Sequence, residues 1–334
     1  MTRDRSPLVS VVTPVYNGES YLRECIDSVL AQTYDNWDYT IVNNCSTDRT
    51  LEVAREYAAR DARIRVHNNE SFVRVNANYN IALRQISPDS KYCKVIAADD
   101  LLFPECLEKM IRLAEDNPSV AIVGAYGIAK AKVLWVGLPY PGAIVSGGRE
   151  ACRLRLLGGA YVFGTPSSVL YRSDIVSSRL AFFNESNLHA DAEACLEFLG
   201  DRDFGFVHQV LTFRRDEEGT LSLFSGRINT YLPAMLGELV RYGKKYLSYE
   251  ELNDRIPELL QEYYRYLGEQ IFKWRGREFW SFHRKKLDSV GYPLSTARLA
   301  AYASFYILDL VLNPKRTAAA VVGRLRRILA QSLP

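Results

Sequence analysis

Residues 8–18 read LVSVVTPVYNG, an apolar β-branched run that ends in a proline and a polar turn. Such a run predicts a buried strand, and the next stretch, residues 19–32, places apolar side chains at helical spacing. The strand-and-helix pair recurs at 39–42 with 47–60, at 64–66 with 76–86, and at 93–97 with 104–115, before a further strand at 120–123. Strands that alternate with helices predict a parallel sheet with helices on both faces, so the fold class is α/β.

Polar, turn-forming residues follow each predicted strand, as in residues 13–18, 43–48, 67–70 and 99–100. In a parallel sheet the carboxyl ends of the strands meet at one edge, and ligands bind outside that edge. We therefore expect the functional residues in these loops. Neither G-x-G-x-x-G nor G-x-x-x-x-G-K-[ST] occurs, which argues against a dinucleotide pyrophosphate or a P-loop triphosphate site.

The composition excludes several classes of protein. The 334 residues contain 42 Lys plus Arg and 39 Asp plus Glu, and this excess of +3 is too small to indicate a nucleic-acid partner. The six cysteines include no C-x-x-C pair, which favours reduced thiols. With neither a signal-like start nor an apolar run of spanning length, the expected location is cytoplasmic.

Two adjacent carboxylates, Asp99 and Asp100, end the fourth predicted strand. Paired carboxylates at a strand end can hold a hard divalent cation that bridges phosphates. The alternative is that one of them caps the helix that starts near Pro104, because aspartate is a preferred N-cap residue.

Four motifs in order and at matching spacing resemble the inverting family 2 glycosyltransferases: VVTPVYNG at 11–18, SVLAQTY at 28–34, NCSTDRT at 44–50, and Asp99-Asp100 followed by Pro104. The resemblance covers roughly residues 7–215. It implies a GT-A (Rossmann-like) fold with a mixed, mainly parallel sheet, a nucleotide-sugar donor with UDP-sugar favoured, and a divalent cation, Mg or Mn.

The resemblance also implies roles for individual residues. The loop with Pro14, Tyr16 and Asn17 would lie against the nucleotide base, with Glu19 near it. Asn43 and Asn44 would stand where the family has one or two aspartates that contact the base, and Asn78 matches the asparagine of the family's third loop. Asp99 would contact the ribose or the metal, and Asp100 the metal and diphosphate.

The chain departs from the family pattern at two of these positions. Relatives often read Asp-x-Asp-Asp where this chain has Ala97-Ala98-Asp99-Asp100, so one carboxylate is absent. Asn43 stands where an aspartate is usual, and an amide both donates and accepts hydrogen bonds whereas a carboxylate only accepts. These departures leave a non-catalytic nucleotide-sugar-binding protein as an alternative. A sugar-phosphate nucleotidyltransferase is disfavoured, because its glycine-rich first loop is missing.

Residues 164–172 resemble the acceptor-side loop and strand, and the segment 189–196 stands where the family has its catalytic carboxylate. Asp191 is the expected general base, which would give a single displacement with inversion and require no protein nucleophile. Glu193 is the alternative base. The structural alternative is that Asp191 caps the helix that follows it.

The expected division is a nucleotide-sugar-binding half at 1–125, an acceptor-binding half at 126–231 and a helical extension at 232–334. After Asp309 there are five basic residues and no acid, and residues 318–329 have an amphipathic helical pattern. This pattern indicates a peripheral membrane contact or, equally, a helix docked on protein. The expected acceptor is a glycan or lipid-linked precursor at the cytoplasmic face of the membrane.

Overall fold

The computed structural model describes residues 6–134, 137–138, 145–159, 161–215 and 221–313. The predicted amphipathic helix at 318–329 lies outside these residues. The chain divides into two compact units, one with the residues up to Arg227 together with Tyr242–Ser248 and one with Ile228–Arg241 and the residues from Tyr249 onward. The predicted boundaries at 125 and 231 stay predictions.

The first unit is built around a mixed sheet to which ten strands contribute within the described residues. The strands are β1 (Val9–Val15), β2 (Trp37–Asn43), β3 (Ile64–Asn68), β4 (Tyr92–Val95), β5 (Leu101–Leu102), β6 (Val120–Ala129), β7 (Lys132–Leu134), β8 (Val145–Gly147), β9 (Val169–Arg172) and β10 (Asp203–Phe213). Their order is β3-β2-β1-β4-β9-β6-β10-β5, with β7 paired to β6 and β8 to β10.

The first half of this sheet is parallel, as the strand-and-helix pattern predicts. β1 pairs in parallel with both β2 and β4, and β2 pairs in parallel with β3. β9 then runs antiparallel between β4 and β6. The mixed, mainly parallel α/β sheet of the prediction is therefore confirmed.

The helices of the first unit cover this sheet. They are α1 (Leu22–Leu30), α2 (Thr50–Arg60), α3 (Val75–Leu83), α4 (Cys106–Asp116), α5 (Gly148–Leu156), α6 (Ser173–Val176), α7 (Ala190–Phe198) and α8 (Leu221–Ile228), of which α8 ends one residue inside the second unit. In α1 and α4 the apolar side chains lie on one stripe, which packs against the strands: Leu22, Cys25, Ile26, Leu107, Met110 and Ile111. The core thus follows from the two periodicities of the sequence.

The second unit is helical, as the prediction of a C-terminal helical extension requires. Its helices are the first part of α9 (Tyr231–Tyr246), then α10 (Tyr249–Ile271), α11 (Arg277–Ser289) and α12 (Thr296–Leu312). α10 and α12 approach closely at Gly268, where a Cβ would lie 2.8 Å from the Tyr302 backbone carbon. In the described part of the chain, no helix combines the length and apolarity needed to cross a membrane.

Candidate functional site: a cavity at the carboxyl ends of the central strands

A cavity of about 930 Å³ opens at the carboxyl ends of β1, β2 and β4. Its walls come from the loops predicted from the strand ends and from three later segments of the first unit. The later segments contribute Thr165, Pro166, Ser167, Glu185, Ser186, Leu188, Arg214 and Arg215. Of the predicted site residues, the cavity brings together Pro14, Tyr16, Asn17, Asn44, Asn78, Asp99 and Asp100. Glu19, Asn43 and Asp191 do not line it.

The loop after β1 is held by reciprocal hydrogen bonds to the loop after β2. The Asn17 backbone N–H donates to Ser46 Oγ at 2.9 Å, and the Thr47 N–H donates to Asn17 Oδ1 at 2.8 Å. Asn17 has a left-handed φ of 50°, a conformation that asparagine tolerates better than most residues. The next residue is Gly18, and a larger residue would not fit there because a Cβ would lie 2.5 Å from Val15 Cγ2. The sequence Asn-Gly is thus needed to turn this loop.

Glu19 has a structural role in the arrangement observed. Its carboxylate accepts a hydrogen bond from the Arg49 backbone N–H at 3.1 Å, at the start of α2. Its own N–H donates to Asp48 Oδ2 at 3.0 Å. Glu19 therefore joins the loop after β1 to the residues at the start of α2.

A buried asparagine network organises the loop after β3. Asn69 Nδ2 donates to Asn44 Oδ1 at 3.0 Å and to Asn78 Oδ1 at 2.9 Å. Asn44 also donates to the Val73 carbonyl at 2.8 Å and accepts from the Val73 N–H at 3.0 Å. The Asn44 side chain thus accepts two hydrogen bonds and donates one within the protein, which fixes the third loop against the second.

The side chain of Asn43 has different partners from that of Asn44. It is buried, and its Nδ2 donates to Asn68 Oδ1 on the adjacent strand at 2.6 Å. Its Oδ1 is buried and has no hydrogen-bond partner among the residues that the structure describes. An amide is therefore used here to join β2 to β3, and its direct contact with a nucleotide base stays a prediction.

Asp99 and Asp100 lie together at the end of β4. Asp100 is buried, and its Oδ1 accepts a hydrogen bond from the Arg215 N–H at 3.3 Å. Burial, followed by the negative charge of Asp99, raises the pKa of Asp100 to about 7, although hydrogen bonds from Ser167 and Arg215 act in the opposite direction. Arg215 also donates from Nε to the Asp99 carbonyl at 3.0 Å and pairs with Glu24.

Neither aspartate caps the following helix. α4 begins at Cys106 with Glu105 as its N-cap residue. The capping alternative is therefore wrong, and the two carboxylates remain at the cavity wall.

The carboxylate pair fits a divalent cation. The negative charge of Asp99 contributes to the raised pKa of Asp100, and a hard cation would relieve the repulsion between the two carboxylates. Among the residues that the structure describes, no three or more His, Cys, Asp or Glu side chains cluster as a metal site. Mg²⁺ typically binds to one or two carboxylates together with substrate phosphates and water, so two carboxylates suffice.

A buried lysine underlies this wall. Lys94 on β4 has no exposed surface, and its Nζ donates to the Ser167 carbonyl at 2.6 Å and the Val169 carbonyl at 3.1 Å. Burial lowers the pKa of its ammonium. Ser167 Oγ in turn accepts from the Ala97 N–H at 3.0 Å. Lys94 thereby fixes the turn at Pro166–Ser168 against the end of β4. The only indication of this role in the sequence is that Lys94 is a single charged residue in the otherwise apolar predicted strand at 93–97.

Asp191 and Glu193 lie in the first turn of α7, but they differ in their contacts. The N-cap residue of α7 is His189, so Asp191 does not cap the helix. Burial raises the pKa of Asp191 to about 6, against the opposing hydrogen bonds of the backbone N–H groups of Ala192 and Asp191.

Glu193 is held by three side chains. It accepts hydrogen bonds from Asn184 at 3.0 Å, from Asn187 at 2.6 Å and from the Tyr242 hydroxyl at 3.4 Å. Such a saturated carboxylate favours a structural role, which leaves Asp191 as the better candidate for the base.

Aromatic and cationic side chains complete the cavity. Tyr16 and Phe72 are about half exposed and meet edge to face, with ring centroids 4.8 Å apart. Arg74 and Arg214 also line the wall. The sequence did not predict Phe72 and Tyr79 as cavity residues. Their only indication in the sequence is that they stand close to Arg74 and Asn78. His208 lies away from the cavity wall, with its Nδ1 3.2 Å from the Tyr126 hydroxyl.

The geometry defines a class of α/β protein whose sheet carries a carboxylate-bearing cavity of about 930 Å³ at its strand ends. Solved structures share this architecture. S. aureus TarS 1-349 in complex with UDP-GlcNAc aligns with a TM-score of 0.61 and 16% identity over 84% of this chain and 80% of that chain. The mannosyltransferase PcManGT from Pyrobaculum calidifontis, in complex with GDP-Man and Mn²⁺, aligns with a TM-score of 0.54 and 14% identity over 95% and 84%. The fold is thus the GT-A fold.

Sequence comparison identifies the family. The model of glycosyl transferase family 2 matches residues 10–179, about half of the chain. EpsE of Bacillus subtilis, assigned to the glycosyltransferases, is 35% identical over 149 residues, which cover 42% of this chain and 52% of EpsE. An uncharacterized glycosyltransferase of Rickettsia typhi is 30% identical over 211 residues, which cover 62% of this chain and 63% of that protein. The chain belongs to glycosyl transferase family 2, and the matched region spans about half the length of EpsE.

Proposed function

We propose that this protein is an inverting glycosyltransferase that moves a sugar from a nucleoside-diphosphate sugar, a UDP-sugar in the first instance, to a hydroxyl of an acceptor. The proposal rests on the Asp99–Asp100 pair at the cavity wall. The other wall is formed by the loops after β1, β2 and β3, which are hydrogen-bonded to one another. TarS is described with UDP-GlcNAc and PcManGT with GDP-Man, which supports a nucleotide-sugar donor of one of these kinds.

The proposed chemistry follows from where charge develops. The acceptor hydroxyl loses a proton as it attacks the anomeric carbon, and Asp191, with its pKa raised to about 6, is suited to take that proton at neutral pH. A divalent cation, Mg or Mn, held by Asp99 and Asp100 would stabilise the extra negative charge of the leaving nucleoside diphosphate. One base and no protein nucleophile give inversion.

The roles of the remaining donor-side residues are also proposals. Tyr16 offers an exposed ring on which a base can stack, with Pro14 and Asn17 beside it. Asn44 and Asn78 act by holding the third loop in place, because their amide oxygens are already bonded to Asn69.

Turnover is the direct test. We expect release of nucleoside diphosphate from one member of a panel of UDP- and GDP-sugars in the presence of Mg²⁺ or Mn²⁺, and loss of release when the cation is chelated. Asp100→Ala should weaken metal-dependent nucleotide binding, measured by calorimetry. If no donor is turned over and Asp100→Ala binds nucleotide as well as the wild type, the transferase proposal is wrong. Binding without turnover would indicate the non-catalytic alternative.

The acceptor is proposed to be a glycan or lipid-linked precursor of a surface polysaccharide, reached by a peripheral membrane contact. Two features support the contact: α12 ends with apolar side chains that are more than half exposed, and residues 314–334 carry five basic residues and no acid. The exposed residues are Phe305, Leu308, Val311 and Leu312.

An apolar face beside a basic sequence binds anionic lipid surfaces. We expect cosedimentation with anionic but not zwitterionic vesicles, reduced by Leu308→Ser and by deletion after Pro314. Unchanged binding by both variants would contradict the membrane contact.

A further inference from the structure

Tyr79, on α3, is positioned at the cavity by its contact with Phe183. It lines the cavity, and its ring meets Phe183 edge to face with centroids 5.9 Å apart. The next residue, Asn80, holds the Phe183 backbone through two hydrogen bonds of 2.8 Å, one donated to the Phe183 carbonyl and one accepted from its N–H. The ring of Tyr79 is therefore positioned by the fold, independently of any ligand.

The hydroxyl of Tyr79 is not used by the protein. Within the described ranges, no hydrogen bond joins it to another residue, and it is not among the polar atoms sealed from solvent. Partly buried tyrosine hydroxyls usually have a hydrogen-bond partner. A positioned hydroxyl that is open to a cavity and has no protein partner is available to a ligand.

Tyr79 also lines the same cavity as the Asp99–Asp100 pair that the proposed reaction uses. Burial raises the pKa of its hydroxyl, and the negative charges of Asp99, Asp100 and Asp191 raise it further. The hydroxyl is accordingly protonated at neutral pH and able to donate. In the proposed reaction the sugar must bridge a diphosphate at Asp99 and Asp100 and an acceptor at Asp191.

We propose that the Tyr79 hydroxyl donates a hydrogen bond to a hydroxyl of the transferred sugar and so positions and selects the donor sugar. This inference rests on the proposed function. It assigns to Tyr79 a contact with the sugar and none with the nucleotide. Tyr79 is thus a sugar-positioning residue.

The chain offers a matched control for the variant Tyr79→Phe. Tyr171 packs on the same aromatic cluster, with its ring centroid 6.4 Å from that of Phe183. In the described part of the chain its hydroxyl also has no hydrogen-bond partner. It is fully buried and does not line the cavity. Both variants remove one unpartnered hydroxyl beside Phe183, but only Tyr79→Phe removes it from the cavity.

The test compares nucleotide-sugar and nucleoside-diphosphate binding by calorimetry, with kinetics of the full chain on the accepted donor. Tyr79→Phe should weaken binding of the nucleotide sugar and lower kcat/KM about ten- to hundredfold, because a buried sugar hydroxyl loses its partner. Binding of the nucleoside diphosphate should stay unchanged, and Tyr171→Phe should change neither quantity. A donor analogue that lacks the contacted sugar hydroxyl should be used equally by the wild type and Tyr79→Phe.

Two outcomes would overturn the assignment. One is equal nucleotide-sugar binding by Tyr79→Phe and the wild type. The other is a parallel loss of nucleoside-diphosphate binding, which would show a general effect on the cavity. If the wild type binds nucleotide sugars but turns none over, the transferase proposal fails, while the ratio of the two affinities still tests the sugar contact.

Discussion

The two walls of the cavity are built from different kinds of polar group. The wall formed by the loops after β1, β2 and β3 consists of amides and hydroxyls that hydrogen-bond to one another, with Asn69 joining Asn44 to Asn78. The wall formed by the end of β4 contains two adjacent carboxylates, and the negative charge of Asp99 raises the pKa of Asp100. Hydrogen bonds between its loops hold the first wall together, whereas the second wall places two negative charges side by side, which a cation would neutralise.

The pKa values of two aspartates show the same contrast. Burial would raise the pKa of Asp48, behind the first wall, but hydrogen bonds from Thr50 and from backbone N–H groups lower it below its usual value. At Asp100 burial and the charge of Asp99 outweigh the hydrogen bonds, and the pKa rises to about 7. The same residue type therefore has a lowered pKa where hydrogen bonds dominate and a raised pKa where burial and a neighbouring charge dominate.

The largest effect is expected from Asp191→Asn. Removal of a general base lowers kcat by about 10²- to 10⁴-fold, and an isosteric amide should leave the melting temperature close to that of the wild type. Steady-state kinetics with thermal unfolding measure both. Glu193→Gln is the matched variant two residues away, and it should lower the melting temperature more than kcat, because Glu193 accepts bonds from Asn184 and Asn187. The reverse pattern would make Glu193 the base.

The pH dependence of activity should come next in size. Asp191 must be ionised to accept a proton, and its pKa is raised to about 6, so kcat/KM should fall about tenfold per pH unit below 6 and level off above it. A profile of kcat/KM between pH 5 and 8, at saturating cation, measures this. The residual activity of Asp191→Asn should lack that limb. An acid limb retained in the variant would assign it to another group.

Lys94→Met tests the support beneath the second wall. It leaves the Ser167 and Val169 carbonyls without their donor, and we expect a loss of about 1–3 kcal/mol in the free energy of unfolding together with a lower kcat. Denaturant unfolding and kinetics measure the two effects. Lys91→Met, which removes a partly exposed ion pair with Glu115, should cost about 0–1 kcal/mol and leave kcat unchanged. If the two variants had equal effects, Lys94 would not support the second wall in the way inferred from its hydrogen bonds.

The smallest effect on turnover is expected at the first wall. Asn69→Ala leaves Asn44 and Asn78 short of a donor and should weaken nucleotide binding several-fold while kcat changes little, as calorimetry and kinetics can show. Asn68→Ala, which affects only the bond from Asn43, should weaken nucleotide binding less. If Asn69→Ala lowered kcat as much as Asp191→Asn does, the first wall would affect the chemical step as well as nucleotide binding.

Much of the fold and part of the site could be predicted from the sequence. The strands β1 to β4 and the helices that follow them have local periodic patterns, and the loop at 14–18 and the Asp99–Asp100 pair stand at strand ends. The carboxyl edge of a parallel sheet then follows from right-handed connections. The positions of Glu19 and Asn43 relative to the cavity could not be predicted in this way, because their partners come from α2 and β3.

By itself, the sequence determined which segments form strands and helices, where the loops of the carboxyl edge fall and which family the chain belongs to, because these depend on neighbours in the chain. Only the tertiary structure decided that β9 is inserted antiparallel beside β4, that Lys94 donates to carbonyls more than 70 residues away, and that Tyr79 shares a cavity with Asp99 and Asp100. Such contacts join residues remote in sequence, and they exist only once burial has brought the segments together.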